Sequence, residues 1–168
     1  RAAAQCAVLL KNEGGILPLK EGVKAAVVGD FAFEPRYQGA GSSMVNCTKV
    51  ETIEKMIVGE KGLTVTDMCR GYQRNGQADS ALLSEAVKAA AGADVVLYFF
   101  GLDEMSESEG LDRTHMRIPQ VQIDVLRAMA EVNPNIVGLI SAGSSIEMEW
   151  EDSLKAILPT THKGGNMK

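Results

Sequence analysis

Cysteine, histidine and aromatic residues are scarce in this chain of 168 residues. Its three cysteines, Cys6, Cys47 and Cys69, are widely spaced and form no C-x-x-C pair, which argues against a disulfide framework or a zinc site. His115 and His162 lie too far apart in the sequence to suggest a catalytic metal triad. We therefore expect no metal and no cofactor, buried free thiols, and a reducing compartment, for which the cytoplasm is favoured.

An excess of positive charge and long apolar runs are also lacking. The net charge is −5 and no basic stripe is interleaved with aromatic residues, so nucleic acid is not an expected partner. No apolar run approaches the ~20 residues that span a bilayer, and the first residues do not read as a signal peptide, so no membrane association is expected. An apolar fraction of 45% over 168 residues suits one domain with a full-sized core.

Strand and helix patterns alternate along the chain. Short apolar runs predict strands, and apolar residues at helical spacing predict helices. The predicted strands cover residues 23–28, 63–66, 94–100, 135–140 and 156–158. The predicted helices cover residues 2–10, 48–60, 80–91 and 119–132. This repetition favours an α/β fold: a three-layer α/β/α sandwich with a mostly parallel sheet of five or six strands, flavodoxin-like or Rossmann-like.

An acidic segment, residues 107–116, follows one predicted strand and contains three carboxylates. Loops at the carboxyl ends of strands are where open α/β sheets keep their functional sites. A carboxyl group beside another acid and shielded from water can keep its proton near neutral pH and donate it to a leaving oxygen. Glycoside hydrolysis uses two such groups, and candidates for the second are Asp30, Glu34, Glu147 and Glu149. The alternative interpretation is a solvated acidic loop.

Two arginines, Arg36 and Arg113, are the natural ion-pair partners for these carboxylates. Alternatively, Asp112 and Arg113 brace the loop together. His115 has no accompanying G-x-S-x-G pattern, so a loop-packing role is favoured over a general base. Residues 39–44 lack the third glycine of a dinucleotide fingerprint and the Lys-Ser/Thr pair of a phosphate loop. Their glycines instead indicate close approach of the backbone to a ligand or a neighbouring domain.

Six segments, taken in order, resemble one known family. They are residues 8–19 (VLLKNEGGILPL), 26–32 (AVVGDFA), 35–43 (PRYQGAGSS), 101–104 (GLDE), 107–113 (ESEGLDR) and 141–150 (SAGSSIEMEW). Together they resemble the second, α/β-sandwich domain of family 3 glycoside hydrolases of the β-glucosidase type, over essentially the whole chain.

The resemblance implies a retaining β-glycosidase that acts on β-glucosides or oligosaccharides. In that family the aspartate nucleophile lies on a preceding (β/α)8-barrel domain, and the acid/base glutamate comes from a loop of this second domain. Matching the loop motif makes Glu107 the first choice for the acid/base and Glu109 the alternative. The further substrate-binding or interdomain residues that the match implies are Arg36, Gln38, Gly41, Ser42, Ser43, Asp112 and Arg113.

The chain departs from the family pattern at its ends. It contains no barrel and hence no nucleophile, so we expect it to be inactive alone. Residues 160–163 (TTHK) replace the usual approach to a Gly-Gly turn, and the Asn-Pro-Ser-Gly-Arg-Leu-Pro segment expected after that turn is missing. We interpret residues 1–168 as a single α/β-sandwich domain, truncated at both ends, of a larger bacterial enzyme. The alternatives are a non-catalytic module that binds sugar or packs against the barrel, and a nucleotide-binding sheet.

Overall fold

The computed structural model describes residues 7–42 and 44–160, with only the backbone described for Thr160. Within these residues, one sheet contains the strands β1 (Lys11–Asn12), β2 (Val23–Val28), β3 (Leu63–Cys69), β4 (Val95–Gly101), β5 (Ile136–Ser141) and β6 (Ala156–Thr160). The helices are α1 (Asp30–Phe33), α2 (Ile53–Ile57), α3 (Ser80–Ala91) and α4 (Gln120–Ala130), with 3-10 turns at Glu13–Gly15 and Glu151–Ser153. None of the helices described in these two ranges has the length and apolar character needed to cross a membrane.

The strands lie in the order β1-β6-β5-β4-β2-β3, and all neighbours are parallel except β1 and β6. From β2 the chain moves outward to β3, then returns to the other side of β2 and continues through β4 and β5 to β6. This is the flavodoxin-like order with β1 added at one edge, and its switch point lies between β2 and β4. The predicted α/β sandwich with a mostly parallel sheet is confirmed.

The sheet is covered on both faces because its central strands are apolar at successive positions. All seven residues of β4 are buried, and their side chains alternate between two hydrophobic clusters. One cluster joins the sheet to α3 and α4, and the other joins it to α1, α2 and residues 16–19. Three layers result, and the ends of the buried strands are held firmly enough to position the loops that follow them.

The two long helices follow the sequence pattern closely. Asp79 caps α3, because its carboxylate accepts hydrogen bonds from the backbone N–H groups of Ala81 at 3.0 Å and Leu82 at 3.2 Å. The second long helix, α4, begins directly after Pro119. Its apolar face packs into the same cluster as that of α3.

The predicted helix over residues 48–60 is mostly wrong, because only Ile53–Ile57 is helical. Thr52 caps this short helix, and Ile57 is its one buried residue among those described. Val58, which was expected on the apolar face, is exposed. A single buried side chain provides too little packing to hold a longer helix.

Two smaller predictions also fail. Residues 7–10, the described part of the predicted first helix, are not helical; the Leu10 N–H donates to the Ile157 carbonyl at 2.9 Å and leads into β1. Cys69 is buried as expected, whereas Cys47 is exposed because it lies in the exposed stretch before α2. The remaining parts of these predictions, residues 2–6 with Cys6, lie outside the described residues.

Candidate active site

Three loops meet beyond the carboxyl ends of the strands at the switch point. They are the first loop (residues 34–52), the acidic loop (residues 102–119) and the third loop (residues 142–149). They follow α1, β4 and β5 respectively. Contacts among them place the candidate residues where a ligand of an open sheet is expected to lie.

Glycine at the end of β4 allows the acidic loop to leave the sheet abruptly. Gly101 has φ +136°, and a Cβ added there would lie 2.1 Å from the Ser141 carbonyl oxygen. The Gly101 N–H donates to the side-chain oxygen of Gln122 at 2.8 Å. Gln122 is almost fully buried in α4, so the start of the acidic loop is tied to a rigid helix.

Glu107 points inward and is surrounded by hydrogen-bond donors. Its carboxylate forms an ion pair with the Arg36 guanidinium, accepts the Gly143 N–H at 2.8 Å and accepts the Ser144 hydroxyl. Arg36 also donates to the Leu102 carbonyl at 2.9 Å. The side chains of Arg36 and Glu107 are only 4% and 10% exposed, so the pair is largely withdrawn from water.

These surroundings determine the proton affinity of Glu107. Burial is the largest single influence and by itself raises the pKa of the carboxyl, because it disfavours the charged form. The Ser144 hydroxyl, the Gly143 N–H and Arg36 together outweigh burial, so the pKa of Glu107 lies below its ordinary value. The lowered pKa means that Glu107 is ionised at neutral pH, and the positive charge of Arg36 balances its negative charge.

Glu109 points outward from the same loop. It is exposed, and its carboxylate accepts the Ser42 hydroxyl and the Ser42 N–H, the latter at 3.2 Å. These hydrogen bonds lower the pKa of Glu109. Gly41 has φ +98°, and a Cβ there would lie 3.0 Å from the Glu109 Cβ, so glycine permits the close approach of the first loop.

Arg113 contacts the third loop rather than a carboxylate. Its Nη2 donates to the Ser144 hydroxyl at 2.9 Å and to the Ser145 carbonyl at 2.5 Å. Across residues 7–42 and 44–160, Asp112 forms no ion pair with it, so the expected bracing pair is a wrong prediction; Asp112 is exposed instead. The Nδ1 atom of exposed His115 accepts the Arg117 N–H at 3.3 Å, a contact within the loop.

Gln38 holds the first loop together, since its side-chain oxygen accepts the Val45 N–H at 2.9 Å. Of the residues expected to line the site, Arg36, Gly41 and Ser42 contact the acidic loop directly. Ser43 and His162 lie outside the described residues.

A second ionic cluster at the same edge was missed from the sequence. Asp30 is 5% exposed and pairs with Arg70 and with Arg74, whose Nε lies 2.6 Å from the Asp30 carboxylate. Arg74 also reaches Glu104 at 3.4 Å, which ties the acidic loop to the end of β3. Asp30 lies two residues after β2, and Arg70 directly follows the adjacent parallel strand β3. Their positions after two neighbouring strands could have predicted this cluster from the sequence. Asp30 is thereby occupied by arginines and is a poor second catalytic carboxylate.

Two clefts flank the acidic loop. One of about 590 Å³ lies between this loop and the start of α4, and its lining includes Arg113, His115 and Ile118. The other, of about 470 Å³, is lined by the first loop together with Arg74 and Glu104. Among the described residues, no group of three histidine, cysteine or acidic side chains is placed to hold a metal ion.

Fold and site together define the class of this domain: an α/β sandwich whose switch point presents a carboxylate-rich loop. The chain belongs to glycosyl hydrolase family 3, because residues 7–167 match the family described as the glycosyl hydrolase family 3 C-terminal domain. The resemblance drawn from six sequence segments is thereby confirmed.

The chain is similar to enzymes that are named for different activities. It is 44% identical over 160 residues to thermostable beta-glucosidase B of Acetivibrio thermocellus, covering 94% of this chain and 21% of that protein. It is 42% identical over 169 residues to an exo-alpha-(1->6)-L-arabinopyranosidase of Bifidobacterium breve, covering 94% and 22% respectively. The chain thus spans about a fifth of the length of these curated relatives. Both relatives come from bacteria, which agrees with the bacterial source expected from the sequence.

A solved structure of a GH3 enzyme is also similar to this chain. The crystal structure of the Bifidobacterium adolescentis GH3 beta-glucosidase matches with a TM-score of 0.87 and 40% sequence identity. The match covers 97% of this chain and 24% of that one. The described fold is therefore that of one part of a much longer glycoside hydrolase.

Proposed function

We propose that this chain is the C-terminal domain of a retaining β-glycosidase, most closely of the β-glucosidase type, and that it supplies the acid/base carboxylate and part of the sugar pocket. The nucleophile lies on a (β/α)8-barrel domain outside the chain, so the chain alone is inactive. Family membership and the loop geometry at the switch point support this proposal.

Exposed apolar side chains support docking of a further domain at this edge. Large apolar side chains that are exposed together often mark a surface to which a partner binds. On the first and acidic loops, the exposed ones are Tyr37, Met44, Val45, Val50, Met105, Leu111 and Met116. A barrel placed over these loops would cover them and complete the pocket.

The contacts favour Glu109, the alternative, over Glu107, the first choice from the sequence. The observation that carries this assignment is that the Glu107 carboxylate is already occupied by Arg36, Gly143 and Ser144, which hold it ionised. A general acid must hold a proton at the working pH and deliver it to the leaving oxygen. Glu109 is exposed, and among the described residues its carboxylate accepts hydrogen bonds from Ser42 alone, so the carboxylate is free to meet a ligand.

Assembly would also adjust the proton affinity of Glu109. In this chain, hydrogen bonds from Ser42 lower its pKa. A docked barrel and a bound sugar remove water from the carboxyl and place the nucleophile's negative charge nearby, and both changes raise the pKa. Glu109 then protonates the departing oxygen, and its carboxylate later takes a proton from the water that hydrolyses the glycosyl-enzyme.

The substrate class is terminal β-linked glucosides or oligosaccharides. One relative is named for glucosides and another for L-arabinopyranosides, so this domain is compatible with more than one glycone. We expect barrel residues to choose the glycone. Comparing nitrophenyl glucoside and nitrophenyl arabinopyranoside as substrates of the full-length enzyme identifies it.

Replacing Glu109 by alanine in the full-length enzyme tests the proposal. We expect hydrolysis of substrates with poor leaving groups to fall at least 100-fold, because general acid catalysis contributes about 10²–10⁴-fold. Azide should restore turnover of a dinitrophenyl glycoside and yield a β-glycosyl azide, since a retaining enzyme's intermediate is then intercepted. Glu85→Ala on the exposed side of α3 is the matched control.

The alternative is a non-catalytic module that binds sugar or packs against the barrel. Both glutamates accept hydrogen bonds in the chain, which is the observation in its favour. Near-normal kinetics for both Glu109→Ala and Glu107→Ala would establish that alternative and reject the catalytic proposal.

A further inference from the structure

We propose that Glu107 and Arg36 form a positioning latch that fixes the acidic loop and so sets the place of the acid/base carboxylate. This inference rests on the proposed function, in which Glu109 carries the proton. It assigns Glu107 a role that requires a permanent charge rather than an exchangeable proton.

The latch joins three loops, which follow α1, β4 and β5. Arg36 comes from the first loop, Glu107 from the acidic loop, and Gly143 and Ser144 from the third loop. Arg36 holds the acidic loop at two points, because the same Nη1 atom also donates to the Leu102 carbonyl at 2.9 Å. The first and sixth residues of the loop are therefore fixed by one guanidinium.

The third loop is shaped to receive the Glu107 carboxylate. A Cβ added to Gly143 would lie 3.2 Å from a Glu107 carboxylate oxygen, so glycine leaves room for this close contact. The Ser144 hydroxyl donates to Glu107 while accepting from Arg113 at 2.9 Å. Arg113 thus supports the latch through Ser144, although it does not contact Glu107.

Burial makes the latch hard to open. A largely buried ion pair loses much of its hydration, and removing one partner leaves the other charge uncompensated. Here the side chains are 4% and 10% exposed, and the Nε atom of Arg36 has no hydrogen-bond partner among the described residues. The Nη1 atom of the same guanidinium, in contrast, donates to Glu107 and to the Leu102 carbonyl.

Glu109 lies two residues beyond the latch, so its position depends on it. The Ser108 N–H donates to the Met105 carbonyl at 3.3 Å, which closes a turn across Glu107. Displacing a catalytic group by about 1 Å can cost about 100-fold in rate. Opening the latch therefore lowers kcat while the sugar contacts that set KM remain.

The charges of the latch also cancel near the catalytic carboxyl. The charged groups that the described residues bring toward Glu107 are Arg36 from the first loop and, through Ser144, Arg113. Removing the Glu107 charge leaves Arg36 uncompensated, which favours ionised Glu109 and lowers its pKa. Removing the Arg36 charge has the opposite effect.

The test uses the full-length enzyme with three variants: Glu107→Gln, Arg36→Met and the double variant. We expect kcat to fall about 10- to 100-fold in each single variant, with KM within about threefold of wild type. The basic limb of the pH profile should move to lower pH in Glu107→Gln and to higher pH in Arg36→Met. In the double variant, that limb should return close to its wild-type position, which an unspecific loss of structure would not produce.

One control variant and one milder variant of the latch complete the test. Glu13→Gln breaks the Glu13–Lys155 ion pair at the opposite end of the sheet and should leave kcat and the pH profile unchanged. Ser144→Ala removes one donor but keeps the ion pair, and should lower kcat about tenfold, the equivalent of a weak hydrogen bond to a charged group. This milder variant serves if Arg36→Met does not fold.

Three results have different meanings. Wild-type kcat in both Glu107→Gln and Ser144→Ala overturns the latch while leaving Glu109 as the acid/base. Azide rescue of Glu107→Ala, with a glycosyl azide as product, makes Glu107 itself the proton donor and also overturns it. Activity that survives Glu109→Ala and Glu107→Ala alike is instead a failure of the proposed function.

Discussion

Glu107 and Glu109 are separated by one serine, yet their carboxylates lie in different surroundings. Glu107 turns inward to Arg36 and the third loop, and Glu109 turns outward to Ser42. The Glu107 carboxylate accepts from three donors, and these contacts stabilise its charged form. The outward carboxylate has fewer partners and contacts solvent, so a docked ligand or domain can change its protonation.

Glu107→Gln should reduce stability in a pH-dependent way. The folded-state pKa of Glu107 is lowered, so its carboxylate stabilises the fold fully above the ordinary unfolded pKa of about 4.3. That stabilisation is lost as the pH falls through the lowered pKa. We expect the variant to lose roughly 3 kcal/mol at pH 7, because it leaves Arg36 buried and unpaired. The difference from wild type should shrink steadily below pH 4.

Urea unfolding of the 168-residue chain, followed by the fluorescence of its single tryptophan, measures this effect. Trp150 is 4% exposed and packs against Phe100 at a centroid distance of 5.0 Å, so it reports the intact core. A stability difference that is constant between pH 3 and pH 7 would contradict the assigned ionisation of Glu107.

At the residue scale, the sequence predicted one ion pair of the acidic loop but not the other contacts of its side chains. Arg36 was expected to pair with a carboxylate of the acidic loop, and it does so with Glu107. The role of Ser144, which is 37 positions away from Glu107, could not be anticipated because it depends on how the third loop folds back. Arg113 was expected to pair with a carboxylate, but serine contacts hold it instead.

At the scale of the secondary structure elements, the site depends on how sharply the loops leave the strands. Gly29 directly follows β2 and Gly101 is the last residue of β4, the two strands at the switch point, and both glycines have positive φ. A Cβ at either position would lie within about 2 Å of a backbone oxygen, 1.9 Å from that of Phe99 and 2.1 Å from that of Ser141. Backbone atoms cannot yield as a flexible side chain can.

Gly101→Ala should therefore destabilise the chain by roughly 3 kcal/mol or more, through strained φ and steric overlap. Urea unfolding of the same chain measures the loss. The control is Gly76→Ala: Gly76 has φ +78°, but apart from its chain neighbours none of the described residues has an atom within 4 Å of an added Cβ. Its substitution should cost only about 1 kcal/mol of backbone strain. Equal losses in the two variants would mean that close packing at the end of β4 does not matter.

The sequence predicted those elements whose apolar pattern matches their burial. The strand at residues 94–100 and the helix at residues 80–91 agree with β4 and α3 within one residue. Both lie in the core, so local pattern and tertiary packing agree. The pattern over residues 48–60 was misleading because no described element buries most of its apolar face, and β1 is too short to give a pattern.

At the scale of the whole molecule, the proposal holds that this chain supplies one part of a site that a second domain completes. Its loops form open clefts of about 590 and 470 Å³ on either side of the acidic loop. Binding sites that hold a ligand tightly enclose most of its surface, which these open clefts do not. The chain also spans about a fifth of its curated relatives, in agreement with a site completed by another domain.

The most direct measurement is a crystal structure of the full-length enzyme with a bound glycone analogue. The account predicts that the Glu109 carboxyl faces the glycosidic oxygen and lies about 5–5.5 Å from the nucleophilic carboxylate, as a retaining mechanism requires. Arg36 and Glu107 should remain paired behind it. A structure with Glu107 at the glycosidic oxygen, or with the acidic loop turned away from the sugar, would contradict the account.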